Sequence, residues 1–181
     1  MRPLTDREQI EKFISALGRE AKSHGRVYIT GGACAVLLGW RKTTIDIDLK
    51  AIPDDDHLLR AISELKVKLN VNVEMASPDD FIPELPAWNS RSSFIAQKGK
   101  LSFYHYDFYS QALAKIKRGH AHDWDDVFHM IDHGHVDPSE LLEFFKKIEP
   151  WIFRYPAIDR TKFRSNVAKF LKEQRKRQRG G

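Results

Sequence analysis

The chain reads as an α+β protein in which a head of mixed strands and helices precedes a half that is helical throughout. Three observations carry this. Segments with strand-like alternation or short apolar runs are confined to the part before about residue 106, successive helix-start signals fill the part after it, and neither repeats nor low-complexity linkers break the order. The expected division is a head over residues 1–106 and a helical region with a basic tail over 107–181.

Thr5 and Glu8 form a capping-box pattern, and Ile10, Phe13, Ile14, Leu17 and Ala21 recur at helical spacing, which predicts a helix from Asp6 to Ser23 that ends at His24 and Gly25. Val27 to Thr30 is a short buried strand, Gly31 and Gly32 a tight turn, and Ala33 to Leu38 a short helix stopped by Gly39. Ile45 to Lys50 alternates. Period-two geometry sends Ile45, Ile47 and Leu49 to the core and Asp46 and Asp48 to the opposite face. Asp54 caps a helix through Leu65, and Val71 to Met75 is a third strand that carries Glu74. Pro83 and Pro86 make Phe81 to Asn89 an irregular loop, and the turn at Lys98, Gly99 and Lys100 predicts a hairpin from Ser93 to Tyr106. Four helices follow. Asp107 starts one that runs to Arg118, Asp123 one to His133, the box at Asp137, Pro138 and Glu140 one to Ile148, and Asp159 the last.

With 181 residues and 41% hydrophobic content the chain has enough apolar mass for a sizeable core. Its one cysteine, Cys34, allows no internal disulfide and no cysteine cluster for zinc. The charged start and the lack of a long apolar run point to neither a signal peptide nor a membrane span, so a cytoplasmic protein is expected. The net charge of +5 is uneven: from Arg160 onward nine Lys or Arg face the single acid Glu173, which leaves the rest mildly acidic. Such a tail is either a solvated helix end or a contact for a phosphate-rich partner.

The chemistry concentrates in the run Gly31–Asp48, GGACAVLLGWRKTTIDID. Two carboxylates two residues apart on a strand project to one side, about 7 Å apart at the backbone. This suits Mg²⁺, or Mn²⁺, which accepts one or two protein carboxylates and keeps its other positions for water and phosphate oxygens. Glu74 joins Asp46 and Asp48 as a metal-binding candidate if its strand lies beside theirs. The backbone N–H groups of Gly31 and Gly32, opening a helix, form an anion cradle. Histidines 129, 133 and 135 are close enough in sequence for a zinc site, but no HExxH motif or cysteine accompanies them, and that reading is set aside. The aromatic runs FYHYDFY and WIFRY suit base stacking or core packing equally.

This run resembles the signature of the DNA polymerase β-like nucleotidyltransferase superfamily, in which a Gly-Gly or Gly-Ser turn precedes a short helix and a metal-binding Asp-x-Asp strand. With Arg41 and Thr44 ahead of the aspartates it is most similar to the AbiE-type (AbiEii-like) toxin branch of bacterial toxin–antitoxin systems. The segment ALAKIKRGHAHDWDDV resembles that branch's later motif. The resemblance implies a nucleotidyltransferase-type mixed sheet with flanking helices. By position it gives Asp46, Asp48 and Glu74 catalytic and metal-binding roles, and gives Gly31, Gly32, Arg41, Thr44 and Lys115 to the nucleotide. Asp123 and Asp126 would support that pocket. Gly32 stands where many members have serine, and His122 where related sequences often carry arginine, a partner for phosphate that would depend on pH.

The expected activity is Mg²⁺-dependent transfer of a nucleoside monophosphate from an NTP to a hydroxyl acceptor, with Arg41 or Lys115 neutralising charge on the phosphates. An RNA acceptor, tRNA in particular, and an antitoxin partner are implied by the resemblance. Two alternatives stay open: transfer to a small hydroxylated molecule, as in aminoglycoside nucleotidyltransferases, and a module that binds nucleotide without turnover.

Overall fold

The structure, a computed structural model, describes residues 3–180. The chain forms two compact units: Met1–Ser77 with Ser92–Tyr106, and Pro78–Arg91 with Asp107–Gly181. A single cut at residue 106 would leave Pro78–Arg91 in the head, whereas in the structure it groups with the helices.

The first unit runs β1 (Thr5–Asp6), α1 (Arg7–Glu20), β2 (Gly25–Thr30), α2 (Gly31–Leu37), β3 (Thr43–Thr44), β4 (Asp46–Ile52), α3 (Asp56–Lys68) and β5 (Asn72–Met75). After the excursion through Pro78–Arg91, which holds a 3-10 turn at Pro78–Asp80 and the short α4 (Trp88–Arg91), the chain returns as β6 (Ser93–Lys98) and β7 (Leu101–His105). A five-stranded mixed sheet results, in the order β5-β4-β2-β7-β6. The pairs β2–β4 and β6–β7 are antiparallel, and β2–β7 and β4–β5 are parallel. This is the α+β mixed sheet with flanking helices that the sequence predicts.

One face of the sheet is apolar. Val27 and Ile29 of β2, Ile47 and Leu49 of β4, Val73 of β5 and Phe103 of β7 pack with Ile10, Phe13 and Leu17 of α1 and Leu58, Ile62 and Leu65 of α3. Alternation therefore turns Asp46, Asp48 and Lys50 to the other face, where each is only partly buried. Ile45, expected in the core, lies ahead of β4 and is 48% exposed. The strand begins one residue later than the alternation suggested.

The helix starts lie within a residue or so of their local sequence signals, in shifted registers. The capping box of α1 is Asp6 with Gln9, each backbone N–H donating to the other's side chain at 2.9 and 3.0 Å, rather than Thr5 with Glu8. Thr5 instead pairs with Thr44 in the small β1–β3 ladder. Asp55, not Asp54, caps α3, which runs to Lys68. The glycine pair forms the first turn of α2 rather than a turn ahead of it.

The second unit continues with α5 (Phe108–Arg118), α6 (Ala121–Asp132), α7 (Pro138–Ile148), a 3-10 turn at Glu149–Arg154, and α8 (Arg160–Gly180). Asp107 caps α5 and receives both Arg91 Nε at 3.0 Å and Arg91 Nη2 at 2.9 Å, a bidentate pair that ties α4 to the helices. The N-cap of α6 is His120, whose side chain makes no capping hydrogen bond, and Asp123, expected there, is a buried first-turn residue. Tyr109 donates to Glu140 at 2.5 Å, joining α5 to α7, and burial followed by this bond pushes the phenol up to about 12. Stacked Phe128 and Phe170, with Trp124 edge-on to Phe170, seat α8 against α6. Among the described residues no helix is long and apolar enough to cross a membrane.

Gly18 of α1 lies against the β6–β7 turn: a Cβ there would overlap Lys98 Cβ and stand 2.6 Å from the Lys98 carbonyl oxygen. We predict that Gly18→Ala lowers the urea midpoint and Gly18→Leu lowers it further. The overpacking penalty of about 1–3 kcal/mol exceeds the gain of up to about 1 kcal/mol in helix propensity. Equilibrium unfolding of both variants checks it, and an unchanged or raised midpoint would refute the close approach.

Candidate active site

Strand register assembles the polar face. Asp48 on β4 pairs with Thr30 on β2 on one side and with Glu74 on β5 on the other, while Asp46 pairs with Asn72. Side chains directly opposite across such ladders have Cβ atoms about 5 Å apart. Asp46, Asp48 and Glu74 thus occupy one patch of one sheet face, and β5 is the neighbour of β4 that the carboxylate reading required.

The glycine pair lies against the same patch. Gly31 has φ +64, and a Cβ on it would stand 2.7 Å from Asp48 Oδ2. A side chain there would meet both a backbone penalty and a carboxylate. A Cβ on Gly32 would overlap Thr44 Oγ1 and lie 3.7 Å from Arg41 Nη1. Thr44 donates from Oγ1 to the Asp46 carbonyl at 3.1 Å, fixing the entry to β4. Six predicted residues therefore gather with Glu74 in the first unit: Gly31, Gly32, Arg41, Thr44, Asp46 and Asp48.

The donor set fits a hard divalent cation through the aspartate pair. Two carboxylates on one strand face are what Mg²⁺ accepts alongside water and phosphate oxygens. Among the described residues no group of three His, Cys, Asp or Glu side chains converges closely enough to hold an ion. Asn72 stands among these carboxylates. Its Nδ2 donates to Asp46 Oδ1 and, at 3.2 Å, to Glu74 Oε1, so an amide sits between the two carboxylates. Sequence reasoning overlooked Asn72, although its spacing of two from Glu74 places both on one strand face. It also overlooked the buried contact between Cys34 Sγ and His105 Nδ1 at 2.9 Å, which joins α2 to the end of β7 across 71 residues and leaves no local signal.

The later motif is assembled in the second unit. Lys115 on α5 and Asp123 and Asp126 on α6 are all buried. Lys115 Nζ bonds to Asp126 Oδ2 at 2.6 Å and lies 3.6 Å from Asp123 Oδ1, which also receives Arg118 at 2.7 Å. Among the described residues Asp123 Oδ2, which is buried, has no hydrogen-bond partner. His122, 70% exposed at its side chain, approaches Asp123 Oδ1 at 3.8 Å. The ammonium is thus engaged by the two aspartates beside it. We predict that Lys115→Met, which removes the ammonium from between those carboxylates, destabilises the protein by about 3–5 kcal/mol, and that adding Asp126→Leu restores part of the loss. Urea unfolding of the single and double variants measures both, and additive losses would refute the coupling.

Residues 7–175 match the model of DUF6036, described as a nucleotidyltransferase of unknown function. No curated protein and no solved structure matches the chain. The matched span contains the glycine pair, the aspartate strand, Glu74 and the Lys115 group together. With nearly its whole length covered by that model, the chain belongs to the DUF6036 family of nucleotidyltransferases.

Proposed function

We propose that the protein transfers a nucleoside monophosphate from an NTP to a hydroxyl acceptor with the help of Mg²⁺, and that Asp46 and Asp48 hold the cation. One observation carries the reading: Asp48 Oδ2 lies against Gly31 on the carboxylate face of the sheet, beside Thr44 and Arg41. A bound Mg²⁺ would supply charge neutralisation for the phosphates and a more acidic attacking hydroxyl.

The chain's own groups divide the rest of the work. Gly31 and Gly32 let the triphosphate approach the backbone and offer it N–H donors. Arg41, near Gly32, meets the charge that builds on the phosphates as the acceptor oxygen bonds to the α-phosphorus and pyrophosphate leaves. Asn72 holds Asp46 and Glu74 in place through its amide, which makes Glu74 a positioning residue more than a direct ligand. Lys115, bonded to Asp126, holds α5 to α6 and contacts phosphate only by giving up that bond. The acceptor we propose is RNA, with tRNA the form implied by resemblance to the AbiE-type toxins, and a toxin role with an antitoxin partner follows from the same likeness.

The test is pyrophosphate release from each of the four NTPs with Mg²⁺ and total RNA. Asp46→Asn and Asp48→Asn should each cut it by at least about a hundredfold while circular dichroism stays unchanged. Undiminished release in both would end the metal assignment. Glu74→Gln should lose about tenfold, as outer-shell changes at metal sites do. A loss as complete as that of the aspartates would make Glu74 a ligand. Labelling of a small hydroxylated compound, with no RNA labelled by any nucleotide, would replace the proposed acceptor.

A further inference from the structure

Two features of the helical unit have no part in nucleotidyl transfer as described. The first is the turn Glu149–Arg154. Ile152 is its buried anchor at 2% exposure, and it leaves its neighbours in water: Trp151 is 49% and Phe153 is 73% exposed. The Arg154 guanidinium lies over both rings, 4.8 Å from the Trp151 centroid and 5.7 Å from that of Phe153, and holds them as a set. What sets the pair apart from single exposed side chains is that two rings and a guanidinium are held side by side, a flat surface that a planar partner can cover.

The second feature is the surface of α8. Phe163, Val167, Phe170, Leu171 and Gln174 face inward. On the opposite side Lys162, Lys169, Lys172, Lys176 and Arg179, spaced seven, three, four and three residues apart, form one row along the helix. At 1.5 Å per residue the row is about 25 Å long. Lys176 has an exposed pair with Glu173 at 3.7 Å. Among the described residues Lys162, Lys169, Lys172 and Arg179 make no ion pair. The turn meets the start of α8 through Glu149, which binds Arg164 at 2.5 Å and lies 3.6 Å from Arg160, so the rings stand near the end of the helix where the row begins.

We propose that this surface docks single-stranded nucleic acid, with bases stacking on Trp151 and Phe153 and the backbone following the cation row of α8. Phosphates account for the row, and a strand with unpaired bases accounts for the rings, which a duplex with its bases already stacked would leave uncovered. The surface deepens the reading above by naming the acceptor as single-stranded. Its acceptor role rests on that reading, and the binding itself does not.

The test is fluorescence anisotropy of the full-length protein, without NTP or metal, against labelled single strands of about 15 nucleotides as RNA and as DNA, and a duplex of the same length, at several KCl concentrations. The single strands should bind more tightly than the duplex, and the RNA and DNA arms show whether the 2′-hydroxyl is read. The double variant Trp151→Ala/Phe153→Ala should weaken single-strand binding at least about tenfold with the salt slope kept. The triple variant Lys162→Gln/Lys169→Gln/Lys172→Gln should reduce the slope by about 2. Equal binding of duplex and single strand, no effect of the aromatic variant, an unchanged slope, or binding to anionic phosphatidylserine vesicles alone would each overturn the proposal. Asp46→Asn should bind the strand as the unaltered protein does. Strand binding without transfer from any NTP would sink the transferase reading and leave the surface standing, while transfer to RNA without loss in either variant would do the reverse.

Discussion

The burial of Ile47 and Leu49 is the constraint on which the candidate site depends. Both are fully buried against the helices of the first unit, and a strand cannot bury them without turning Asp46 and Asp48 to the other face. A slip of one residue would bring two carboxylates into the core and two aliphatic side chains into water, at a cost of several kcal/mol per buried charge. Register here is held by hydrophobic burial, and the carboxylate pair inherits its geometry. The neighbouring strands extend the effect, since β2 brings Thr30 and β5 brings Glu74 to the flanks of Asp48.

The same strand explains the glycines. Gly31 follows Thr30 directly, so pairing of Thr30 with Asp48 delivers the start of α2 to the Asp48 carboxylate, where a Cβ would stand 2.7 Å from Oδ2. Packing alone is enough to require glycine. A phosphate cradle would ask for the same residue, because both need the backbone to come close to charged oxygen atoms without a side chain between them.

Much of this was legible where the signal is local. The alternation in Ile45–Lys50, the turn at Lys98–Lys100 and the caps at Asp107 and Asp137 each declare themselves within a few residues, and the structure keeps all four elements with small shifts at their ends. What lay hidden depends on distant partners. Thr5 and Glu8 match a capping box, yet Asp6 and Gln9 form it, because Thr5 is drawn into a ladder with Thr44. Pro83 and Pro86 announce an irregular segment but not its allegiance, which comes from Arg91 gripping Asp107 some sixteen residues on. Asn72 reads as an ordinary strand residue until β4 is known to run beside it.

Charge is the quantity that sequence reports least well, since hydropathy treats all lysines alike. Lys115 and Lys169 each stand on a helix with apolar residues around them, but Lys115 is 5% exposed between two aspartates while Lys169 stands in water. The difference has a physical consequence. A buried ion pair is little affected by dissolved ions, whereas exposed cations interact through a medium whose screening length is about 8 Å at physiological salt. Any work done by the α8 row therefore fades as salt rises, while the α5–α6 contact persists. Salt thus separates the part of this charge that holds the fold from the part that is available to a partner, a distinction the count of nine basic residues after Asp159 does not contain.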